Sequence, residues 1–399
     1  MKLLEHQAKR LLSEFGLVFT EPLLASSAAD AGQAAAKLAV PVVVKAQTPA
    51  GGRGKAGAVK FAENAAEAEH AASQLIGTEL RGHLISCVSL EPRVAFSREL
   101  YGGVAWDARA KLPVALLGLS GGMDVEESAA DKVFRRWFDP WTGLSAWQAR
   151  ELAVEAGLNG KSIPALGTML ERLAGAFLAL DAVVAEINPI VETEAGEWIG
   201  LDARIEIEDD AMFRQKQRLA VLGELPSFSS GRAATPLELE AQRIDAMDYR
   251  GVAGRVVEFD GDLALLIGGG GASLTIFDSI RRHGGQPANY CEIGGNPTAE
   301  KIAALTALLL GKAGTQKLAV IMNVVNNTRA DVIADGVLTG LRKAGRNPAD
   351  VLTVFRVPGS WENEAGALLA KVGVKALGRE VSLDAAARLA VERSNGHAA

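Results

Sequence analysis

The second half of the chain alternates short apolar runs with longer segments in which apolar residues recur every three or four positions. The apolar runs lie at residues 263–267, 288–293, 318–322 and 351–357. Helical patterns begin at residues 272, 299, 330 and 363. This alternation predicts a parallel sheet with helices on both faces, which is a doubly wound α/β domain. Ligands of such sheets bind beyond the carboxyl ends of the strands.

The first half of the chain mixes helical and strand patterns less regularly. Residues 1–16 have the spacing of an amphipathic helix. The apolar face of this predicted helix consists of Leu3, Leu4, Ala8, Leu11 and Leu12. We expect further helices at residues 146–156 and 164–180, and strands at residues 42–45, 84–91 and 98–104. Both halves of the chain are therefore predicted to be α/β.

The composition changes between the two halves. Residues 225–236 have the sequence LPSFSSGRAATP, which is rich in Ser, Gly and Pro and has no periodicity. A chain of 399 residues also exceeds the usual size of a single core. We therefore predict a first domain at residues 1–224, a linker at 225–240 and a second domain at 241–399.

A predicted β-hairpin near residue 190 carries three oxygen-bearing side chains. Apolar runs at residues 182–188 and 198–202 flank a Thr-Glu-Ala-Gly turn. Glu186 and Asn188 are two residues apart on one strand and share a face, and the returning strand brings Asp202 alongside. Carboxylate and amide oxygens suit Mg²⁺, which completes its shell with substrate phosphates. An ordinary hairpin with exposed polar residues is an equal alternative.

A glycine-rich segment follows the strand that ends in Lys45. Residues 50–57 contain four glycines with Arg53 and Lys55 between them. Glycines let the backbone approach a ligand closely, and the basic side chains favour phosphate. The spacing is not that of a P-loop, and a flexible basic turn is the favoured alternative when the segment is taken alone. Glu91 and Glu99, near strand ends, are candidates for a nucleotide's ribose or amino group, with ordinary solvated acids as the alternative.

Two turns in the second half resemble anion sites. The turn that includes Gly268, Gly269 and Gly270 leads from a strand into a helix, so free N–H groups and the helix dipole would face an anion. After another strand come Asn326, Asn327 and Thr328, which add hydrogen-bonding side chains. A connector of this kind is common, but two in one small domain favour an anion site.

Composition and charge narrow the possible functions. The net charge is −6 and no basic tract is present, so nucleic acid is not an expected partner. No stretch approaches the ~18 apolar residues of a membrane span. The start of the chain has a charged helical pattern rather than an apolar signal core, so we expect a cytoplasmic protein. None of the five histidines lies in a nucleophile–base pattern, which disfavours covalent chemistry on this chain.

Taken together, several motifs resemble the β subunit of succinyl-CoA synthetase. They cover nearly the whole chain and occur in the family's order. The motifs are Glu5-His-Gln-Ala-Lys9, Lys45 with residues 51–57, Arg98-Glu-Leu-Tyr101, Glu186-Ile-Asn-Pro189, Leu201-Asp202, Phe213-Arg-Gln215, residues 284–289 and residues 331–336.

The resemblance implies an N-terminal ATP-grasp fold followed by a flavodoxin-like domain. In that family, ATP and CoA convert a carboxylate to an acyl-CoA through a phosphohistidine. The phosphohistidine and most of the CoA site belong to a separate α subunit, in an αβ or α₂β₂ assembly. Mg²⁺ accompanies ATP, and the lack of a plausible active histidine here agrees with that division of labour.

The same resemblance implies roles for individual residues. The residues implied to bind ATP are Lys45, Gly52, Arg53, Gly54, Glu91, Val94 and Glu99. Asn188 and Asp202 are implied to bind Mg²⁺, which offsets phosphate charge during transfer. Glu186 is implied to meet the partner's histidine and orient its ring.

The chain departs from the family in the two carboxylate-binding turns. The family has Asn-Gly-Ala-Gly where this chain has four glycines at 268–271, and Phe-Gly-Gly-Ile-Val where it has Val-Val-Asn-Asn-Thr at 324–328. These turns look closer to ATP-citrate lyase and citryl-CoA synthetase, and residues 121–127 resemble malate–CoA ligase. Added polar groups suit a hydroxylated or tricarboxylic acid, because each polar group of a substrate needs a partner. Succinate, malate and citrate-like acids all stay open.

Two other functions are compatible with the same motifs. One is a free-standing ATP-grasp ligase that joins a carboxylate to an amine and needs no partner. The other is an inactive regulatory protein that binds a nucleotide and a carboxylate. The joint presence of Glu186, Asn188 and Asp202 argues against a mere binding module.

Overall fold

The computed structural model describes residues 1–122, 133–223 and 234–396. Within these ranges the chain divides into two units, Met1–Ala233 and Ala234–Ala399. Residues 225–233 of the linker predicted at 225–240, and residues 123–127 of the malate–CoA ligase resemblance, lie outside the described residues. In the part of the chain that is described, no helix combines the length and apolar character needed to cross a bilayer.

The helices and strands follow one another closely in both units. The helices are α1 (Glu5–Glu14), α2 (Ala28–Leu38), α3 (Ala65–Ser73), α4 (Ala146–Glu155), α5 (Ser162–Ala179), α6 (Met212–Leu219), α7 (Pro236–Asp245), α8 (Gly271–Arg282), α9 (Ala299–Gly311), α10 (Ala330–Lys343), α11 (Pro348–Val351), α12 (Glu362–Ala370) and α13 (Leu383–Ser394). The strands are β1 (Leu23–Ala25), β2 (Val42–Ala46), β3 (Val59–Ala62), β4 (Glu79–Leu80), β5 (His83–Leu84), β6 (Val88–Pro92), β7 (Phe96–Asp107), β8 (Leu112–Gly118), β9 (Val133–Trp137), β10 (Ala182–Thr193), β11 (Trp198–Gly200), β12 (Ala203–Ile207), β13 (Val252–Glu258), β14 (Leu263–Gly268), β15 (Asn289–Gly294), β16 (Lys317–Met322) and β17 (Leu352–Arg356).

The first unit contains two main antiparallel sheets and the two-stranded sheet of β4 and β5. The smaller main sheet has the strand order β1-β6-β2-β3, and α2 and α3 pack against its core. The other has the order β11-β10-β7-β8-β9, with β12 paired to the first part of β10. Helices α1, α4 and α5 bury their apolar faces against this larger sheet. Each main sheet thus has its own hydrophobic core.

Helix α1 is shorter than predicted, because the first residues are extended. Lys2 forms a bridge with Glu206, and the Leu3 N–H donates to the Ile205 carbonyl at 3.0 Å. Leu4 is therefore the N-cap and is only half-buried. The predicted strand at 84–91 is also wrong in part, since β5 pairs with β4 whereas β6 joins the sheet of β1 and β2.

The second unit is built on a sheet with the order β13-β15-β14-β16-β17. Strands β15, β14, β16 and β17 are parallel, as predicted, whereas β13 is an antiparallel edge strand that the sequence pattern did not predict. In chain order the parallel strands run 2-1-3-4, which is the flavodoxin-like arrangement. Residues of β14 alternate between a core with α7, α9, α10 and α12 and a core with α8 and α13. The doubly wound prediction is confirmed.

The predicted linker is wrong at its C-terminal end, since residues 236–240 are helical. The Thr235 side chain caps α7 and accepts from the Glu238 N–H at 3.2 Å, while the Glu238 carboxylate accepts from the Thr235 N–H at 3.0 Å. Pro236 occupies the first turn, where its missing N–H costs nothing. This capping box starts a helix in a segment whose composition is typical of a linker.

Candidate functional site

Lys45 lies on β2, an interior strand of the smaller main sheet, and is buried among oxygen acceptors. Its Nζ donates to Glu5 Oε1 at 2.8 Å, to Glu91 Oε2 at 3.2 Å and to the Leu201 carbonyl at 2.6 Å. These acceptors come from α1, from β6 and from the connection between β11 and β12. Lys45 therefore ties the smaller sheet to the N-terminal helix and to the larger sheet.

Helix α1 contributes two charged residues to the same place. Glu5 and Lys9 are one turn apart on its buried side, and Lys9 Nζ lies 2.9 Å from Glu5 Oε1 and 2.6 Å from Glu91 Oε1. Glu91 also accepts a hydrogen bond from the Thr20 hydroxyl. With 2% of its surface exposed, Glu91 is buried and not a solvated acid.

Arg53 brings the glycine-rich segment into contact with these residues. Its guanidinium donates to Glu5 Oε2 at 2.6 Å and to both carboxylate oxygens of Asp202 at 2.7 and 2.6 Å. The preceding Gly52 has φ +72, a conformation that favours glycine, and a Cβ there would lie 3.1 Å from Arg81 Nη2. We call Glu5, Lys9, Lys45, Arg53, Glu91 and Asp202 the ion network. Arg53 is thus held in place, unlike a residue of a flexible basic turn.

The ion network perturbs the titration of its members. Burial alone would raise the pKa of Glu5, but attraction to Arg53, Lys45 and Lys9 outweighs it and holds that pKa well below its usual value. Burial lowers the pKa of Lys45, yet Glu5, Glu91 and Asp202 together raise it above its usual value. Glu5 is consequently an anion and Lys45 a cation at neutral pH. Asp202 and Glu5 likewise raise the pKa of Arg53, another cation of the network, against the effect of burial.

The predicted hairpin is confirmed, and it brings Asn188 and Asp202 together. Strands β10 and β11 are antiparallel, and the Asn188 N–H donates to the Asp202 carbonyl at 3.2 Å. The Asn188 side-chain oxygen accepts from the Gly122 N–H at 2.6 Å, and its amide nitrogen donates to the Gly122 carbonyl at 3.2 Å. The Asp202 side chain is 33% exposed.

This pair of residues has a donor set that fits Mg²⁺. One carboxylate and one amide supply hard oxygen atoms, and Mg²⁺ takes few protein ligands beside waters and phosphates. Within residues 1–122, 133–223 and 234–396, no cluster of three or more His, Cys, Asp or Glu side chains suits a metal. A metal held by Asn188 and Asp202 would accordingly need further ligands from a substrate or water.

Glu186 lies on the same strand as Asn188 and has different neighbours. Its carboxylate accepts a hydrogen bond from the Tyr101 hydroxyl at 3.3 Å and lies 3.5 Å from Arg204 Nη1. Burial raises the pKa of Glu186 above its usual value, with Arg204 and Tyr101 opposing the shift. The side chain keeps 23% of its surface exposed. It is an accessible carboxylate of fixed orientation.

Glu99 and Val94, two of the residues implied to bind ATP, do not belong to the ion network. Glu99 lies on β7, opposite Val191 of β10, and its carboxylate oxygens are 3.3 and 3.4 Å from the position of a Cβ on Gly122. Val94 is half-buried in the connection between β6 and β7. The ion network therefore unites Lys45, Arg53, Glu91 and Asp202, while Glu99 and Asn188 both approach Gly122.

In the second unit, the glycine turn follows β14 and leads into α8. Gly269 and Gly270 have φ +118 and +60, so both positions favour glycine. The Gly270 N–H donates to Glu292 Oε1 at 2.9 Å. The Gly268 carbonyl accepts from the Asn323 N–H at 3.1 Å, which joins this turn to the end of β16.

The turn after β16 contains the predicted polar residues. Asn326 and Asn327 are exposed, and the Asn326 carbonyl accepts from the Ser360 hydroxyl at 2.6 Å. Thr328 is buried, and its hydroxyl oxygen accepts from the Asn296 N–H at 3.1 Å. Because β14 and β16 are neighbours at the point where the strand order reverses, the two turns meet at the usual ligand position of such sheets.

Four further residues of these sites, Glu5, Lys9, Tyr101 and Arg204, had no role predicted from the sequence. Glu5, Lys9 and Tyr101 belong to motifs that carried the resemblance, but their partners lie far away along the chain. A signal does exist in α1, where Glu5 and Lys9 have the i, i+4 spacing and lie on the same side as Leu12. Charged residues within an apolar helix face indicate a buried polar network.

Sequence comparison identifies related proteins over the whole chain. A family model described as an ATP-grasp domain matches residues 2–192. A succinate–CoA ligase (ADP-forming) subunit beta of Rubrobacter xylanophilus is 36% identical over 100% of this chain and 100% of its own length. The protein of the same name from Bordetella petrii is 33% identical over 98% of this chain and 99% of its own length.

A solved structure has a similar fold throughout. The ATP citrate lyase from Methanothrix soehngenii, in complex with citrate and coenzyme A, matches with a TM-score of 0.79 and 20% identity. The match covers 98% of this chain and 99% of that chain. At this identity the likeness concerns the fold, and the prediction of an ATP-grasp fold followed by a flavodoxin-like domain is confirmed.

Proposed function

Because the chain belongs to the family of ADP-forming succinate–CoA ligase β subunits, we propose that it phosphorylates a histidine of a partner α subunit. The family is one of acid–thiol ligases that use ATP and CoA, and a β subunit implies an α subunit. The proposed substrate is a small di- or tricarboxylate, which leaves as its acyl-CoA thioester. The assembly would be αβ or α₂β₂.

The observation that carries the proposal is the ion network. It gathers Lys45, Arg53 and Asp202 from three separate segments through contacts of 2.6 to 3.2 Å. Lys45 and Arg53 would bind the ATP phosphates, with the Gly52 and Gly54 backbone approaching them, while Glu91, Val94 and Glu99 complete the nucleotide pocket. Asn188 and Asp202 would hold Mg²⁺, which offsets phosphate charge during transfer when it is bound.

Glu186 would receive the partner's histidine. As an accessible carboxylate held by Tyr101 and Arg204, it can accept a hydrogen bond from one ring N–H and leave the other ring nitrogen as the nucleophile. That nitrogen forms a bond to the γ-phosphorus, the bond to the ADP oxygen breaks, and ADP leaves. The role of this chain is to bind and orient.

The acid would bind at the turns of the second unit. Gly268, Gly269 and Gly270 lie at the start of α8, where the acid would replace Glu292 as the acceptor of the Gly270 N–H, and Asn326, Asn327 and Thr328 follow the neighbouring strand. Helix N-termini favour anions. The exposed Asn326 and Asn327 amides can pair with a hydroxyl or additional carboxylate, which favours a hydroxylated or tricarboxylic acid over one lacking such groups.

The test uses ATP labelled at the γ-phosphate, Mg²⁺ and the α chain co-expressed with this chain. Label is expected on a histidine of the α chain, and CoA with the correct acid from a panel should discharge it. Glu186→Gln should abolish transfer while ATP binding is retained. Glu192→Gln is the matched control, because Glu192 lies on the same strand, is also 23% exposed and lies 3.8 Å from Arg98.

The outcome separates the proposal from its competitors. If ATP binds and no label reaches the α chain, the partner-dependent mechanism is wrong. Turnover by this chain alone with an amine would then favour a free-standing carboxylate–amine ligase. Nucleotide and acid binding without any turnover would favour a regulatory protein.

A further inference from the structure

Glu5 lies at the centre of the ion network and has its least exposed side chain. Its side chain is 1% exposed. Oxygen Oε1 accepts from Lys45 at 2.8 Å and lies 2.9 Å from Lys9 Nζ, while Oε2 accepts from Arg53 at 2.6 Å. One carboxylate therefore binds both of the cations that the proposed function assigns to nucleotide phosphates.

We propose that Glu5 is a positioning residue that holds Lys45 and Arg53 in the geometry required by the nucleotide phosphates. This inference rests on the proposed function, and it gives helix α1 a role in nucleotide binding. Lys45 belongs to β2, whereas Arg53 belongs to the glycine-rich segment that follows. Because Glu5 bonds to both, it fixes the distance between a strand and a loop.

The other partners of the two cations are unequal. Lys45 is also bonded to Glu91 and to the Leu201 carbonyl, so three acceptors hold it. Arg53 has the Asp202 carboxylate and, at 3.3 Å, the Ala46 carbonyl in addition to Glu5. Without Glu5 each cation would keep two partners, and Arg53 would then depend on Asp202 alone for its short contacts.

The dependence of Arg53 on Glu5 increases if Asp202 binds a metal. Asp202 has the oxygen donors that fit Mg²⁺, and it now uses both oxygens on Arg53. A carboxylate that turns to a cation of higher charge gives up part of its bonding to arginine. Glu5 would then be the remaining carboxylate on Arg53, which makes it most important when nucleotide and metal are both present.

Glu5 is not expected to touch the phosphates. It is buried beneath Lys45 and Arg53, and its negative charge would repel a phosphate group. Its effect must therefore pass through the two cations. A positioning role predicts that the loss of affinity depends on the number of phosphates, whereas general damage to the fold should weaken all ligands alike.

The experiment measures the affinity of the full chain for MgATP, MgADP, AMP and adenosine in wild type, Glu5→Gln and Glu5→Asp. We expect Glu5→Gln to weaken MgATP binding by about 10- to 100-fold, the range for a hydrogen bond between charged groups. The loss of affinity should become smaller from MgATP to MgADP, AMP and adenosine. For adenosine the affinity should stay within about twofold of the wild-type value. The shorter Glu5→Asp side chain keeps the charge but not the reach to both cations, so it should show the same order with smaller losses.

Lys301→Met is the control for a lost buried charge. Lys301 is 1% exposed, belongs to the second unit and lies 3.4 Å from Asp245 Oδ1. This variant should lower the midpoint of thermal unfolding without changing MgATP affinity by more than about twofold. It shows how far general destabilisation alone affects the binding measurement.

Each outcome has a definite meaning. If both Glu5 variants bind MgATP as wild type does, or lose affinity equally for ATP and adenosine, the positioning role is wrong. If Glu5→Gln does not fold, Glu5→Asp decides by the same criterion. If wild type itself fails to bind MgATP, the proposed function fails, and this inference fails with it.

Discussion

The two candidate sites of this chain contain different kinds of binding groups. In the first unit, three cations and three carboxylates from α1, β2, β6 and two connections form the buried ion network. In the second unit, two turns present backbone groups and neutral amides, and the nearby cation Arg329 is bonded to Asp331 at 3.0 and 2.5 Å. One site therefore depends on side-chain pairing and the other on backbone conformation.

This difference indicates what each site is suited to bind. Nucleotide phosphates carry several charges, and paired buried cations hold their positions before a ligand arrives. A small acid carries fewer charges and can bind at helix N-termini with help from neutral hydrogen bonders. The two sites should consequently respond to different kinds of substitution.

The largest expected effect is that of removing a cation from the ion network. Lys45→Met leaves Glu5 and Glu91 each with one fewer buried partner, and breaking a buried pair typically costs about 3–5 kcal/mol of the free energy of unfolding. Arg93→Met removes an exposed pair with Glu63 and should cost about 1 kcal/mol or less. Urea unfolding of both variants measures how much of the free energy of unfolding each one loses. Equal losses would mean that the ion network is solvated like the exposed pair.

The next effect concerns the glycine turn. Gly269 has φ +118, and a Cβ there would lie 2.7 Å from the Asn323 side chain, so Gly269→Ala should cost about 1–3 kcal/mol. It should raise the KM for the acid by about tenfold and leave MgATP affinity unchanged. Gly271→Ala is the control, because Gly271 begins α8 and a Cβ added there would lie in open space. Similar kinetics in the two variants would contradict a substrate role for this turn.

The fold of the second unit was the more predictable from sequence. Strands β14 and β16 appear as almost unbroken apolar runs and β17 is buried along its whole length, so these three parallel strands were found within one or two residues. Edge strand β13 was missed because it has one exposed face and contains a glycine. That glycine, Gly254, lies so close to α7 that a Cβ on it would be 2.2 Å from the Ala241 carbonyl oxygen. An edge strand depends on neighbours that no local pattern reveals.

The candidate site was predicted in outline. The motifs indicated Lys45, Arg53, Glu91 and Asp202, and the structure unites them in the ion network, but their proposed roles remain predictions. Glu5 was not assigned, since its partners Lys45 and Arg53 are 40 and 48 residues away along the chain. Charge pairing over such separations leaves no periodic signal, so only the folded structure displays it.

A third prediction uses the acid sensitivity of the ion network. The pKa of Glu5 is lower in the folded chain than its usual value of about 4.3, so its contribution to stability is complete above that pH. The contribution is lost as the pH falls through the lower folded pKa. Amides of α1 and β2 should therefore lose protection from hydrogen exchange in acid before those of β14 and β16. The opposite order would indicate that other groups dominate.

The smallest expected effect is that of Asn327→Ala. The Asn327 side chain is exposed, and its contact with the Thr328 hydroxyl is long, at 3.5 Å, so the free energy of unfolding should change by less than about 0.5 kcal/mol. If the amide binds the acid, the KM for hydroxylated or tricarboxylic acids should rise by about fivefold or more, whereas the KM for succinate should change little. Steady-state kinetics with the α chain present measures both. A loss of stability above about 1 kcal/mol with unchanged acid preference would assign Asn327 to the fold of the turn, and the acid would then be selected by backbone groups alone.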